Sequence, residues 1–164
     1  MNEIHENIRE LSRQIVEVCT ERGLKVATAE SCTGGMISAA ITSVPGSSAV
    51  IELGVCSYSN RIKQELLKVS EQTLDKETEY SVDCAAEMAD GVLKLSGADF
   101  AVSTSGIAGP SGDTEDDPVG TVYIGVCSEE RSTSERFVFP DMGRDNIRAA
   151  ATEKALSMLL KLIK

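Results

Sequence analysis

A serine followed closely by two glycines, at the end of an apolar run, is the part of this sequence best suited to chemistry. Residues 28–35 read TAESCTGG, and a helical pattern follows them. Ser31 is therefore expected where a strand ends and a helix begins, a place where unpaired backbone N–H groups stabilise negative charge. A serine there can act as a nucleophile or bind a ligand. It can equally be an ordinary N-cap, a role that Thr33 could also fill.

The chain offers few groups that could activate Ser31. Its single histidine, His5, falls on the polar side of the predicted first helix, which excludes a Ser-His-Asp or Cys-His site. No Gly-Lys dipeptide is present, which excludes a Walker phosphate-binding loop. The remaining base of suitable reach is a lysine, since burial can lower a lysine pKa toward about 7–8. We select Lys63, with Arg61 as a cation that could lower its pKa further; the alternative is that Lys63 is a solvated helix residue.

A second polar segment, rich in glycine, follows a predicted strand. Residues 103–112 read STSGIAGPSG and space three glycines evenly. This composition permits close backbone approach and offers small hydroxyls to the amide, ribose or phosphate of a substrate. It does not match the dinucleotide pattern G-x-G-x-x-G, and a surface turn without a ligand is equally compatible.

The cysteines argue for a reduced protein without metal. Five of them, an odd number, are scattered without a C-x-x-C pair, so neither a disulfide framework nor a zinc site is indicated. Cys32 is a rival nucleophile, because it also lies near a helix N-terminus and a thiolate is intrinsically more reactive. We expect it to be a buried structural residue instead. The chemistry requires no metal and no cofactor.

Chain length and net charge further limit the class of protein and the kinds of partner. A chain of 164 residues predicts one domain over residues 1–164. The net charge of −10 argues against a nucleic-acid partner, although local cations could still bind one small anion. The polar, acidic N-terminus does not resemble a signal peptide, and no apolar run reaches the roughly 20 residues that a membrane helix needs. We therefore expect a cytoplasmic protein without a membrane partner.

Periodicity predicts an α/β protein in which helices and strands alternate. The last two strands are close enough to form a hairpin, and the whole pattern suggests a three-layer α/β/α sandwich around a mixed, mostly parallel sheet. The expected helices cover residues 4–19 (ended by Gly23), 35–42, a short segment that Asn60 caps, 74–78, a long segment from the Ser81 cap to Gly97, and 144–161; the expected strands cover 24–29, 49–57, 98–103, 120–127 and 133–139.

Several separate motifs, in this order and spacing, resemble the CinA C-terminal-domain family over nearly the whole chain. They are residues 28–35 (TAESCTGG), 44–48 (VPGSS), 58–60 (YSN) with Lys63, 105–110 (SGIAGP) and 118–122 (PVGTV).

The resemblance implies a nicotinamide-nucleotide amidohydrolase, which converts nicotinamide mononucleotide and water into nicotinic acid mononucleotide and ammonia in pyridine nucleotide recycling. By resemblance, Ser31 is the nucleophile, Lys63 the base and Tyr58 a proton relay to ammonia. The family's C-terminal arginine falls on Arg148, with Arg144 preceding it, and its substrate loop falls on Ser105-Gly106. The expected substrate-binding residues are Cys32, Thr33, Gly34 and Gly35, whose N–H groups would hold the oxyanion, together with Arg61, Thr104, Ser105, Gly106, Gly109 and Arg148.

Two departures from the family pattern concern the substrate loop. Ser105 stands where threonine is common, and the neighbouring Thr104 could substitute for it. Residues 113–117 are unusually acidic, and we expect these carboxylates to point into solvent, away from an anionic phosphate.

The resemblance also bears on assembly. It implies a nucleotide substrate and a homodimer or larger homo-oligomer, in which Arg148 could serve its own pocket or a neighbour's. The separate N-terminal domain that many family members carry is absent from this sequence, which implies a stand-alone enzyme. A non-catalytic nucleotide-binding or regulatory module of the same fold is the alternative, disfavoured by the joint presence of Ser31, Tyr58 and Lys63.

Overall fold

The order of helices and strands follows the predicted alternation. The computed structural model describes residues 2–76 and 78–164. Within these residues the elements run α1 (Asn2–Arg22), β1 (Val26–Glu30), α2 (Met36–Thr42), a 3-10 turn (Ser47–Ala49), β2 (Ile51–Cys56), α3 (Asn60–Leu67), α4 (Glu71–Lys76), α5 (Val82–Ser96), β3 (Phe100–Gly106), β4 (Thr121–Ser128), β5 (Ser132–Val138) and α6 (Arg144–Ile163). No helix in this described part is long and apolar enough to cross a membrane.

The strands form one mixed sheet in the order β2-β1-β3-β4-β5. β1 is parallel to both β2 and β3, whereas β3–β4 and β4–β5 are antiparallel. The predicted hairpin is therefore confirmed as β4–β5. Because the three parallel strands are neighbours, their carboxyl ends meet at one edge of the sheet.

Helices cover both faces of the sheet, as predicted for a three-layer sandwich. Successive strand residues point to opposite faces, so Val26 and Ala27 of β1 belong to different cores. The Val26 core packs against α1, α2 and α6, with Ile15, Ile37 and Leu156 at its centre. The Ala27 core packs against α3 and α5. The site described below lies at the carboxyl ends of β1, β2 and β3, where side chains point toward both helical layers.

Local capping explains the start of α3 and both ends of α5. Ser81 caps α5 as predicted, accepting a hydrogen bond from the N–H of Cys84 at 3.1 Å, and Gly97 ends that helix with φ of 68°. The cap of α3 is Ser59 and not Asn60, because the Ser59 hydroxyl accepts from the N–H of Ile62 at 3.4 Å. Helix α4 begins at Glu71, before the predicted start at residue 74.

Candidate active site

The predicted site residues follow the carboxyl ends of adjacent parallel strands. Glu30 at the end of β1 lies opposite Cys56 of β2 and Thr104 of β3. Ser31 comes directly after β1, and Tyr58 follows β2 by two residues. In open α/β sheets this edge is where ligands bind.

The pleat of β1–β3 sorts side chains at this edge into two sets. Ala29, Val55 and Ser103 face the α3/α5 layer; Ser103 donates a hydrogen bond to the carbonyl of Ala85 in α5 at 2.5 Å. Residues of the other parity face α2, as the 2.6 Å hydrogen bond between Thr28 and Ser38 shows. Ser31 follows β1 by one residue and has the parity of Ala29. The alternation therefore places Ser31 on the side of the sheet that α3 covers, the helix that carries Lys63.

Glu30 holds the α2 end of the site together. Its side chain is fully buried, and no cation is paired with it in the described part of the chain. Five donors surround its carboxylate: the N–H groups of Gly35, Ile37 and Ser38 at 3.0, 3.0 and 2.9 Å, and the hydroxyls of Thr33 and Ser38 at 2.7 and 3.0 Å. Glu30 thus satisfies the N-terminus of α2 from the preceding strand.

This arrangement corrects two sequence expectations. Neither Ser31 nor Thr33 caps α2, because Gly35 occupies the N-cap position with φ of 98° and Glu30 accepts from the first turn. The N–H groups of Gly34 and Gly35 also cannot serve as free oxyanion donors. Gly34 donates to the carbonyl of Ser31 at 3.0 Å, and Gly35 donates to Glu30.

Ser31 is held by its backbone and has an uncommitted hydroxyl. The residue is 6% exposed. Its N–H donates to the carbonyl of Thr104 at 2.9 Å, which fixes it against β3. In residues 2–76 and 78–164, no hydrogen bond involves its hydroxyl group.

Lys63 is a buried amine, contrary to the alternative that it is a solvated helix residue. Only 1% of the residue is exposed, and its Nζ has no hydrogen bond or ion pair within the described segments. Burial lowers its pKa, opposed by Cys84, Glu79 and Cys32. The thiol of Cys32, adjacent to Ser31, is thus near enough to Lys63 for the two groups to influence each other electrostatically.

Arg61 lies outside this buried region. It is exposed and forms an ion pair with Glu65 at 2.6 Å. Burial, and not the expected Arg61 cation, lowers the pKa of Lys63. The structure does not bring Arg61 together with the other predicted residues.

Cys32 is buried, as expected, and its thiol is protonated at neutral pH. It is 5% exposed, and burial raises its pKa to about 12, partly offset by the N–H groups of Cys32 and Thr33. These two N–H groups have no backbone carbonyl partner in the described part of the chain. In this they differ from the N–H groups of Gly34 and Gly35.

Tyr58 and Arg144 meet at the rim of the site. Tyr58 is 61% exposed, and its hydroxyl accepts a hydrogen bond from Nη2 of Arg144 at 3.0 Å. Nη1 of the same arginine donates to the carbonyl of Gly109 at 2.7 Å. Arg144 therefore bridges the segments that follow β2 and β3.

Arg148 is bound to the loop after β1 of its own chain. Its Nε and Nη2 donate to the carbonyls of Cys32 and Thr33 at 3.1 and 3.0 Å. A Cβ at Gly34 would lie 3.2 Å from Nη2, so the glycine makes room for the guanidinium group. Two of the guanidinium nitrogens thus position the backbone beside Ser31. The sequence had instead predicted that Arg148 binds the substrate.

The polar groups of the substrate loop are also used within the protein. Thr104 is hydrogen-bonded to Thr33 at 2.7 Å, and Ser105 donates to the carbonyl of Glu79 at 2.5 Å. A Cβ at Gly106 would lie 2.6 Å from the Cα of Val122, and one at Gly109 would lie 2.7 Å from Val119. These residues tie the loop to its neighbours, in place of the open hydroxyls and glycines that were predicted.

The acidic loop faces solvent except at its last residue. Asp113, Glu115 and Asp116 are exposed as predicted. Asp117 turns inward, accepting from the Tyr123 hydroxyl at 2.8 Å and from Nε of Arg136 at 3.1 Å.

Three residues near the site were missed by the sequence analysis. Glu30 could have been found from its parity with Thr28, which places both on the α2 face. Glu79 and Tyr80 reach the site from the turn before α5, and no sequence signal indicates this. Tyr80 is half-buried, and burial raises its pKa, reinforced by Glu79, Cys32 and Tyr58.

Comparison with known proteins gives consistent relatives. Residues 8–163 match the family described as the CinA C-terminal domain. The chain is 44% identical over 158 residues to a CinA-like protein of Thermotoga maritima, covering 96% of this chain but 38% of that protein. The crystal structure of a competence/damage inducible protein from Agrobacterium tumefaciens is 41% identical with a TM-score of 0.94, covering 96% of both chains. One from Klebsiella pneumoniae is 33% identical with a TM-score of 0.89, covering 94% of this chain and 95% of that one. The chain therefore belongs to the CinA C-terminal domain family.

Proposed function

We propose that this protein is an amidohydrolase that deamidates nicotinamide mononucleotide to nicotinic acid mononucleotide and ammonia. The resemblance of its motifs to the CinA C-terminal domain supplies the substrate. The observation that carries the chemistry is Lys63, a buried amine without a partner in the described residues, beside the loop that holds Ser31.

The burial of Lys63 has a direct chemical consequence. Removing an ammonium ion from water without a counter-ion is costly, so burial favours the neutral amine. A neutral amine can accept a proton, whereas an ordinary exposed lysine is protonated near pH 7. Lys63 therefore has the environment that a general base requires.

The proposed reaction begins with transfer of the Ser31 proton to Nζ of Lys63 as Oγ bonds to the carboxamide carbon. The tetrahedral intermediate collapses when its C–N bond breaks, and the Lys63 ammonium returns the proton to the leaving nitrogen through the Tyr58 hydroxyl. Ammonia departs and leaves an ester on Ser31. Water then attacks this ester with Lys63 again as base, which releases the carboxylate product and restores the serine.

Two features of the loop after β1 suit the negative charge that develops on the carboxamide oxygen. The N–H groups of Cys32 and Thr33 are the donors we assign to the oxyanion, since those of Gly34 and Gly35 are engaged elsewhere. Arg148 fixes this loop through two carbonyl contacts, so the donors are held in place before substrate binds.

Arg144 is the residue we assign to the substrate phosphate. It is exposed at the rim formed by Tyr58 and the carbonyl of Gly109, and it is not ion-paired to a carboxylate in the described part of the chain. Arginine forms strong charge-assisted hydrogen bonds with phosphate. Arg148 is less available, because two of its nitrogens bind backbone carbonyls and the third lies 3.6 Å from Asp145.

The test is ammonia release from nicotinamide mononucleotide by the purified protein without added metal. We expect turnover by the wild type, loss of turnover in Ser31→Ala with the fold intact, and retention of activity in the matched Cys32→Ala variant. Wild-type turnover in Ser31→Ala would refute the covalent mechanism. Nucleotide binding without ammonia release would instead favour the non-catalytic module.

A further inference from the structure

Ser57 has a buried hydroxyl without a hydrogen-bond partner, directly beside the candidate site. The residue is fully buried, and its Oγ has no partner among the residues that the structure describes. Its N–H donates to the carbonyl of Glu30 at 2.9 Å, which continues the β1–β2 pairing one residue past Cys56. Burying an unpaired hydroxyl opposes folding, and nearly all buried polar groups in proteins are paired. We therefore looked for a hydrogen-bond partner that the Ser57 hydroxyl would gain during the proposed reaction.

The pleat of β2 shows which way this hydroxyl faces. Leu53 and Val55 pack against the core that includes Leu67 of α3. Gly54 faces the opposite side, since a Cβ there would lie 2.5 Å from the hydroxyl of Ser38 in α2. Ser57 has the parity of Leu53 and Val55, so it faces the α3 layer.

Lys63 is the second unpartnered polar group in that layer. It lies in the first half of α3, the helix that Ser59 caps two residues after Ser57, and its N–H donates to the carbonyl of Ser59 at 3.0 Å. The residue Lys63 is 1% exposed and Ser57 is 0% exposed. They are complementary, because an ammonium group donates hydrogen bonds and a hydroxyl oxygen accepts them.

We propose that Ser57 is a positioning residue whose hydroxyl oxygen accepts a hydrogen bond from Lys63 when that amine carries the proton of Ser31. The inference rests on the proposed function. The proton leaves Oγ of Ser31 for Nζ of Lys63, one N–H of the resulting ammonium points to Ser57, and another remains free to return the proton to the leaving nitrogen. Ser57 thereby stabilises and orients the charged form that burial disfavours.

The other groups that face Lys63 do not supply this contact. Glu79 comes from the turn before α5, Cys84 from α5, and Cys32 from the loop after β1. Burial raises the pKa of Cys84 to about 11 and of Cys32 to about 12, so both thiols are protonated and poor acceptors. Glu79 forms no ion pair with Lys63 within the described segments, although its charge raises the pKa of the amine. Ser57 is the candidate acceptor on the sheet side.

Ser12 provides a matched control. It is also fully buried with an unpartnered hydroxyl, but it lies on α1, away from the site. Ser57→Ala and Ser12→Ala therefore remove the same atom from equally buried positions. Both variants should be at least as resistant to urea as the wild type, because an unpaired hydroxyl is lost. Failure of Ser57→Ala to fold would assign the hydroxyl a structural role and overturn the proposal.

Kinetics with nicotinamide mononucleotide then separate the two variants. In Ser57→Ala we expect kcat to fall about tenfold with KM unchanged, and the acidic limb of the kcat/KM profile to move to lower pH by about half to one unit. The sign follows because loss of an acceptor destabilises the ammonium form and lowers the pKa of Lys63. Ser12→Ala should match the wild type in all three quantities. A wild-type profile in Ser57→Ala would overturn the proposal.

A readout without turnover keeps this inference separable from the proposed function. The Lys63 side chain can be titrated by NMR through its Cε and Nζ shifts in the wild type and both variants. We expect a lower Lys63 pKa in Ser57→Ala only, whether or not the substrate has been correctly assigned. An unchanged Lys63 pKa in Ser57→Ala would refute the role of Ser57, whereas absence of ammonia release by the wild type would refute the proposed function alone.

Discussion

Replacing Glu30 by glutamine should destabilise the protein strongly, although glutamate and glutamine have nearly the same shape. The carboxylate accepts five hydrogen bonds in a fully buried position. An amide has one oxygen. In its best orientation this oxygen replaces Oε2 and keeps the donors Thr33, Gly35 and Ile37, while the amide NH2 faces the N–H of Ser38.

The cost follows from that geometry. One partly buried N–H donor, that of Ser38, loses its acceptor, which costs about 1–3 kcal/mol, and three charge-assisted hydrogen bonds become neutral ones that are each weaker by roughly half. Together these losses amount to about 3–5 kcal/mol, a large share of the roughly 5–15 kcal/mol that stabilises a typical domain. For a chain of this length the melting temperature should fall by about 10 °C.

Urea unfolding and thermal melting measure this effect, and Glu52→Gln is the matched control. Glu52 lies on the neighbouring strand β2, half-exposed, with Nζ of Lys25 at 3.9 Å. An exposed pair of this kind contributes little, so Glu52→Gln should stay within about 0.5 kcal/mol of the wild type. If the unfolding free energy of Glu30→Gln also lies within about 0.5 kcal/mol of the wild-type value, Glu30 does not organise the start of α2.

Three further predictions concern the site and the helix that carries its base. Arg144→Met should raise KM for nicotinamide mononucleotide about tenfold or more, as steady-state kinetics would show; an unchanged KM would remove Arg144 from phosphate binding. Gly91→Ala, a change that usually stabilises a helix interior, should cost about 1–3 kcal/mol in urea unfolding, because the added Cβ would collide with the carbonyl of Leu67; a gain in stability would contradict the close α3–α5 contact. Lys63→Met should have a higher unfolding free energy than the wild type, and the difference should be larger at pH 8 than at pH 10.5. Below the ordinary pKa of 10.5 the unfolded wild-type chain binds a proton on Lys63, whereas the folded protein, in which burial lowers that pKa, resists protonation. A difference that does not change with pH would contradict the lowered pKa.

The sequence predicts the fold well wherever one local interaction decides the outcome. Helical periodicity identifies α1 and α5, and Ser81 and Gly97 mark the two ends of α5 because capping needs only neighbouring backbone groups. The choice of Asn60 over Ser59 as the cap of α3 was wrong, since both residue types are good caps and only the backbone conformation distinguishes them.

The end of β3 could not be predicted from local preference. Residues 103–106 (STSG) are typical of a loop, yet they continue the strand as far as Gly106. Tertiary contacts satisfy their hydroxyls: Ser103 binds the carbonyl of Ala85, Thr104 binds Thr33, and Ser105 binds the carbonyl of Glu79. These partners are distant in sequence, so no short window contains the signal.

For the candidate site, motif resemblance supplies residues but not the contacts that their polar groups make. Motif resemblance selects Ser31 and Lys63, and the structure adds that Lys63 is buried and without a described partner. The sequence could not show that Arg148 and Glu30 use their polar atoms on the loop after β1, since both contacts depend on the packing of α6 and α2 against the sheet.

The proposed reaction depends on Lys63 acting as the base for Ser31, and Lys63→Met removes that base. Methionine keeps most of the volume of the side chain, which becomes one heavy atom shorter, and removes the amine. We predict a folded variant, more stable than the wild type near pH 8, whose release of ammonia from nicotinamide mononucleotide falls by a factor of at least about 100, within the usual contribution of a general base. A folded Lys63→Met variant that releases ammonia at the wild-type rate would show that Lys63 is not the base.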